Sequence, residues 1–107
     1  MIKIITGDSA VFNFAIVYPG AVDGMPTPDL STDTIVFAMK NKKTGKIVVE
    51  KTVSNPTTNI ITFTLTPQET SALSQGVYES CCKVYYNDNA TTVWMQDVMA
   101  IKGVLNG

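Results

Sequence analysis

The stretch Asn59 to Tyr86, NIITFTLTPQETSALSQGVYESCCKVYY, decides the fold. It opens with strict alternation: Ile61, Phe63 and Leu65 point one way, Thr62, Thr64 and Thr66 the other. A period of two built from β-branched and aromatic residues is a half-buried strand. The alternation stops at Thr66-Pro67-Gln68-Glu69. Thr followed three residues later by Glu is the sequence of a capping box, and Pro at the first helical position already holds the φ a helix needs. Gly76 limits this helix to about two turns, because glycine commonly follows a helix end. Leu73, its one large apolar residue, is expected to plug the open end of the core. Beyond Gly76 the alternation resumes, with Tyr78, Ser80, Cys82, Val84 and Tyr86 sharing a face. A strand, a short capped helix and a second strand carry the chain from one sheet of a sandwich to the other.

Working outward, 107 residues make one domain, 1–107, large enough to bury a modest core. Apolar residues form 45% of the chain, so the composition is that of a folded domain rather than a disordered one. A net charge of −1 gives no electrostatic reason to expect a nucleic acid partner. No apolar run approaches the about 20 residues of a membrane-spanning helix. The N-terminus MIKIITGDSA lacks the apolar core of a secretory signal, so the chain is expected to fold in the cytoplasm where it is made. The two cysteines, Cys81 and Cys82, are adjacent. Neighbours in a strand point to opposite faces, which disfavours a bridge between them. Both are therefore expected reduced, Cys82 in the core and Cys81 on the outer face.

The rest of the chain reads as further strands. Met1 to Thr6 is a short apolar strand, and Gly7-Asp8-Ser9 is turn chemistry. Ala10 to Val17 alternates with Phe12, Phe14 and Ile16 inward. Tyr18 to Thr32 holds three prolines and two glycines and reads as a long loop whose end, Leu30, dips toward the core. Asp33 to Lys40 places Ile35, Phe37 and Met39 inward and Val36 and Ala38 outward. The polar turn Asn41 to Gly45 joins it in a hairpin to a strand over Ile47 to Val53. Lys40, Lys42, Lys43 and Lys46 mark a solvated hairpin tip, since no stacking aromatics are interleaved. Ser54 to Thr58 and Asn87 to Asn89 are turns. Thr91 to Leu105 is a long last strand. Its alternation suggests Val93, Met95, Met99 and Ile101 inward, with Trp94, Gln96, Val98 and Ala100 outward. That register points Asp97 inward, and a lone buried carboxylate is costly, so a bulge is expected at Asp97.

Chemistry-bearing constellations are missing from the sequence. It holds no His, the commonest general base and metal ligand. The adjacent cysteines exclude a CxxC metal arrangement, and no GxGxxG, P-loop or GxSxG occurs. Acids are scattered, and Asp29 with Asp33 reads as a loop and strand-entry pair. No catalytic, cofactor-binding or metal site is expected, and the chain is not expected to be an enzyme.

The run LTPQETSALSQGVYESCCKV (Leu65 to Val84) resembles the corner of the immunoglobulin-like domain of phage baseplate upper proteins. Gly7-Asp8-Ser9 entering an alternating strand, Asp29-Leu30-Ser31 before the next and a closing strand near the C-terminus fit in the same order. The resemblance implies an all-β, immunoglobulin-like, two-sheet Greek-key sandwich of about seven strands with one short helical turn. It places the strands over Ala10 to Val17 and Ile61 to Leu65, with Met1 to Thr6, in one sheet. The strands over Asp33 to Lys40, Gly76 to Tyr86 and Thr91 to Leu105 form the other. It further implies a structural subunit of a phage or prophage tail baseplate, assembled in the host cytoplasm and carried in the virion. Its partners would be copies of itself or other tail proteins. Family members continue past the sandwich into a helical linker and a receptor-binding region; the 107 residues here hold the sandwich alone.

The expected core is Phe12, Phe14, Ile16, Ile35, Phe37, Met39, Ile61, Phe63, Leu65, Leu73, Tyr78, Cys82, Val84, Met95, Met99 and Ile101. The expected contact surface is the outer face of the second sheet, carrying Val36, Ala38, Val77, Cys81, Tyr85, Trp94, Val98 and Ala100. A sheet face meant for water should read polar, and this one reads mostly apolar. A second expectation is a carbohydrate-binding or adhesin-like module with Trp94, Tyr85 or Tyr18 as a sugar-stacking platform.

Overall fold

The computed structural model describes residues 2–15, 33–54, 60–86 and 89–104. Ile16, Val17, the 18–32 loop with Tyr18, Asp29 and Leu30, the turns at 55–58 and 87–88, and Leu105 lie outside the described residues. Within them the alternating runs form β1 (Ile2–Ile5), β2 (Ala10–Ala15), β3 (Thr34–Asn41), β4 (Ile47–Ser54), β5 (Ile60–Leu65), β6 (Gly76–Tyr86) and β7 (Asn89–Ile101). The helix is α1 (Pro67–Ser71). One sheet has five strands in the order β1-β7-β6-β3-β4, and the other pairs β2 with β5. The fold is an all-β, immunoglobulin-like two-sheet sandwich.

The corner forms as the sequence dictates. Thr66 Oγ1 accepts from Glu69 N at 3.2 Å, while Thr66 N donates to Glu69 Oε1 at 2.9 Å, closing the capping box. Lys51 Nζ reaches from β4 to Glu69 Oε2 at 2.8 Å. That ammonium, followed by the Thr66 backbone N–H, holds the Glu69 carboxyl below its ordinary range. The helix is shorter than the position of Gly76 implies: it ends at Ser71 with Ala72 as C-cap, and Gly76, at φ 152°, opens β6 instead. Leu73 is buried beneath the corner, as expected. Thr70 ties the corner to the β1–β2 turn at the same end of the sandwich. Its fully buried Oγ1 accepts from Gly7 N at 3.0 Å and donates to Asp8 O at 2.8 Å.

That turn, with Gly7 at φ 92°, is where the chain changes sheets, and it corrects the placement of β1. The first strand does not join β2 and β5. It runs parallel to β7, with Ile2 opposite Val98 and Ile5 opposite Ile101. Thr6 N extends the pairing to Ile101 O at 2.9 Å, and Gly103 N donates back to Thr6 Oγ1 at 3.1 Å. Four residues suffice because β1 needs to bury only one side chain deeply, Ile4.

Most of the expected core is buried: Phe12, Phe14, Ile35, Phe37, Met39, Ile61, Phe63, Leu65, Leu73, Tyr78, Cys82 and Val84. The error lies in β7. Cys82 and Lys83 are consecutive on β6, yet their partners on β7 are Trp94 and Thr92. Val93 is the extra residue of a bulge. Beyond it the register is opposite to the expected one. Val98 and Ala100 are fully buried and Trp94 packs on the core, whereas Met95 is 62% exposed and Met99 and Ile101 are half-buried on the outer side. No bulge is needed at Asp97, which points outward to Lys42 Nζ at 3.1 Å. The aromatic packing shows what selects this register. Trp94 meets Phe14 edge-on at 5.1 Å and Phe12 at 6.2 Å between centroids, over a cluster centred on Phe37, itself 4.7 Å from Phe12 and 5.6 Å from Phe63.

Two substitutions on β7 report the register. Val98→Ala should destabilise by about 1–3 kcal/mol, as loss of buried apolar surface. Met95→Ala should stay within about 0.5 kcal/mol of the parent, as for an exposed site. Urea denaturation checks both, and the expected inward-Met95 register would produce the reverse ranking. Leu73→Ala, at the corner, should cost about 2–5 kcal/mol in the same assay.

Candidate protein contact face

In a pleated sheet, residues opposite one another on neighbouring strands share a face, and the register of the five-stranded sheet arranges its outer face in rows. The middle row is Ala38–Cys81–Met95, from β3, β6 and β7. One step toward the corner end lies Lys40–Glu79–Asp97; one step the other way lies Val36–Lys83–Thr92. Val77 and Met99 pair in the row beyond the first, and Tyr85 and Ala90 in the row beyond the second. An uncharged, largely apolar band therefore crosses β3, β6 and β7, framed by a mixed-charge row and a row with one lysine, and Glu50 of β4, opposite Ala38, closes it with a charge. Tyr85 is 45% exposed, and Lys83 Nζ lies 5.5 Å from the centroid of its ring, a cation–π contact.

Five of the eight expected face residues are on this surface: Val36, Ala38, Val77 and Cys81 half-buried, and Tyr85 exposed. Trp94, Val98 and Ala100 are not. The bulge at Val93 turns them inward, and Met95, Met99 and Ile101 take their places outside. The sugar-stacking platform loses Trp94 for the same reason, since that ring is held among Phe12, Phe14 and Phe37. One sequence signal pointed to the missed residues. The inward Asp97 of the expected register was a physical objection to it, and shifting the register upstream removes that objection without burying a charge.

Cys81 and Cys82 lie on opposite faces, and both thiols are free. Burial, with the neighbouring Cys81 second, pushes the Cys82 thiol up to about 11. Burial also raises the Asp33 carboxyl above its ordinary value. At the lysine-rich hairpin tip, Asn41 Oδ1 accepts from Lys43 N at 2.8 Å and Thr44 N at 3.2 Å, and Gly45 at φ 74° completes the turn. Among the described residues no three His, Cys, Asp or Glu side chains stand together as a metal site. No helix among them is long and apolar enough to cross a membrane.

The class these features define is an immunoglobulin-like sandwich in which β4 extends the sheet of β3, β6 and β7, as the added strand of variable-type domains does. The chain is similar to the extracellular domain of mouse leukocyte-associated immunoglobulin-like receptor 1, solved as a strand-swapped dimer. The TM-score is 0.53 at 15% identity, over 94% of this chain and 87% of that one. No protein-family model and no curated protein matches the chain. The likeness establishes the fold.

The two thiols give a direct test of the face assignment. In native protein at about pH 8, an alkylating reagent should modify Cys81 and leave Cys82 untouched, because only a thiolate reacts and Cys82 is both buried and neutral there. Both should label after denaturation. Equal rates in the native state would contradict the assignment.

Proposed function

We propose that this chain is a non-enzymatic structural subunit of a phage or prophage tail baseplate, acting through protein–protein contacts. It would assemble in the host cytoplasm and reside in the virion, with copies of itself or other tail proteins as partners. Two things support the reading. The corner sequence Leu65 to Val84 and its flanking pieces resemble the phage baseplate family, and that resemblance supplies the setting. The observation that carries the mode of action is the Ala38–Cys81–Met95 band on an open sheet face, with Met95 62% and Tyr85 45% exposed. An antiparallel sheet facing water ordinarily alternates to polar side chains there, and apolar patches of this kind mark contact surfaces. The carbohydrate-binding reading has less support, because its strongest stacking residue, Trp94, is packed against the core.

Immunoelectron microscopy on particles induced from the organism encoding this chain tests the proposal. An antibody raised against the purified protein should label the tail end of the particles. Intact tailed particles that carry no label, while the protein is expressed in the same cells, would contradict it.

A further inference from the structure

The first strand, β1, is the least committed strand of the five-stranded sheet. It is four residues long, stands at an edge and pairs with β7 in parallel, and parallel pairs are slightly weaker per residue than antiparallel ones. Ile4 is its deeply buried side chain, while Ile5 is 39% exposed and Lys3 is exposed as well. The bonds that hold this part of the chain divide at one turn. Up to Thr6 the anchor is β7: Thr6 N donates to Ile101 O at 2.9 Å, and Thr6 Oγ1 accepts from Gly103 N at 3.1 Å. From Gly7 onward the anchor is the corner: Gly7 N donates to Thr70 Oγ1 at 3.0 Å, and Thr70 Oγ1 donates to Asp8 O at 2.8 Å. Between the two anchorages a turn bond from Asp8 N to Ile5 O, 3.1 Å long, folds the chain back with Gly7 at φ 92°.

We propose that β1 is an exchangeable strand, which docks on the β7 of a second copy of this chain in place of that copy's own β1. The occupant follows from the seat. Val98 and Ala100, both fully buried, stand opposite Ile2 and Ile4, and Ile101 O and Gly103 N receive Thr6. That seat is matched to the sequence IKIIT, and every copy carries it. Exchange therefore remakes all the pairs of β1 and both bonds of Thr6. What it opens is the turn, at the bond from Asp8 N to Ile5 O and the bond from Gly7 N to Thr70. Asp8 and Ser9 are exposed, so water reaches the amides that are released there. The connection from β1 to β2 is Thr6 to Ser9. Extended, these residues reach about 13 Å, more than the about 10 Å between packed sheets. Short connections held in a tight turn invite such exchange, and exchanging an identical element is a low-cost route to a closed two-fold dimer. Because association itself costs free energy, the closed monomer prevails in dilute protein and the exchanged dimer grows with concentration.

This inference is independent of where the protein resides, and its test uses purified protein alone. Ile5 and Ile101 are neighbours across the seat. With Ile5→Cys and Ile101→Cys introduced and Cys81→Ser removing the outer thiol, a short bis-maleimide joins the two positions, and Cys82 stays buried. Protein held at millimolar concentration is separated by size exclusion, diluted and cross-linked, and each fraction is run on a denaturing gel. The monomer fraction should cross-link within the chain and the dimer fraction between chains. Gly7→Val, added to this background, places a β-branched residue where the turn needs a positive φ. It should raise the dimerisation constant roughly tenfold or more, because the opened connection relieves that strain. A parent hinge that gives no dimer fraction, a dimer fraction that cross-links only within the chain, or a folded Gly7→Val protein that dimerises no more than the parent hinge would each overturn the proposal. If circular dichroism shows Gly7→Val to be unfolded, the cross-linked fractions of the parent hinge decide on their own.

Discussion

The packing of Trp94 against Phe12, Phe14 and Phe37 is the interaction on which the outer surface of this protein depends. Strand alternation alone permits two registers for β7, and a one-residue slip exchanges every side chain between core and surface. Seating the indole edge-on against Phe14 at 5.1 Å selects one of them. The selection costs a bulge at Val93. In return, Val98 and Ala100 are fully buried and Asp97 reaches Lys42 in the open. Burial of a large aromatic and two aliphatic side chains outweighs the local loss of ladder bonds at one residue, given about 1.5–3 kcal/mol for a fully buried valine-sized side chain. The same choice puts Met95, not Trp94, at the centre of the outer face.

The two outer faces differ in a way that follows from the strands behind them. On the two-stranded sheet, Asn13 pairs with Thr62, whose hydroxyl donates to Asn13 Oδ1 at 2.6 Å, and Thr64 stands opposite Val11. Hydroxyl and amide groups there serve a wet surface, with Val11 and the Ala15–Ile60 pair as exposed apolar exceptions. The five-stranded sheet carries an uncharged band where three long strands, β3, β6 and β7, lie side by side, and Glu50 of β4, opposite Ala38, ends that row with a charge. The corner holds the two sheets in this relation. Thr70, without solvent contact, joins α1 to the Gly7–Asp8 turn, and Lys51 joins β4 to Glu69. Buried polar groups with their partners supplied fix geometry that apolar packing alone leaves loose.

How much of this was legible in the sequence varies with how local the determinant is. Thr66, Pro67 and Glu69 specify the corner within four residues, and the alternation of β2, β3, β5 and β6 names their buried faces directly. Two features depended on distant partners. The edge position of β1 rests on Thr6 bonding to Ile101 and Gly103, nearly the whole chain away, and nothing in IKII distinguishes one sheet from the other. The β7 register rests on an aromatic pocket assembled from β2 and β3. Within Thr91 to Ile101, apolar residues fall on both parities, so periodicity had no majority to follow. Only the misplaced carboxylate of Asp97 argued against the inward methionines, and a bulge can relieve such a conflict at any residue upstream. Because the outer face takes Met95 and Met99 from this strand, its uncertainty in sequence was inherited from β7.

Trp94 is the only tryptophan in the chain, which makes its own fluorescence the most direct test of the central claim. The measurement is the emission maximum and iodide quenching of dilute protein, compared with the urea-unfolded chain. An indole packed on Phe12, Phe14 and Phe37 should emit to the blue of the unfolded chain and be quenched several-fold less. Emission and quenching equal to those of the unfolded chain, in protein that circular dichroism shows to be folded, would place Trp94 on the outer face and contradict the register from which that face is built.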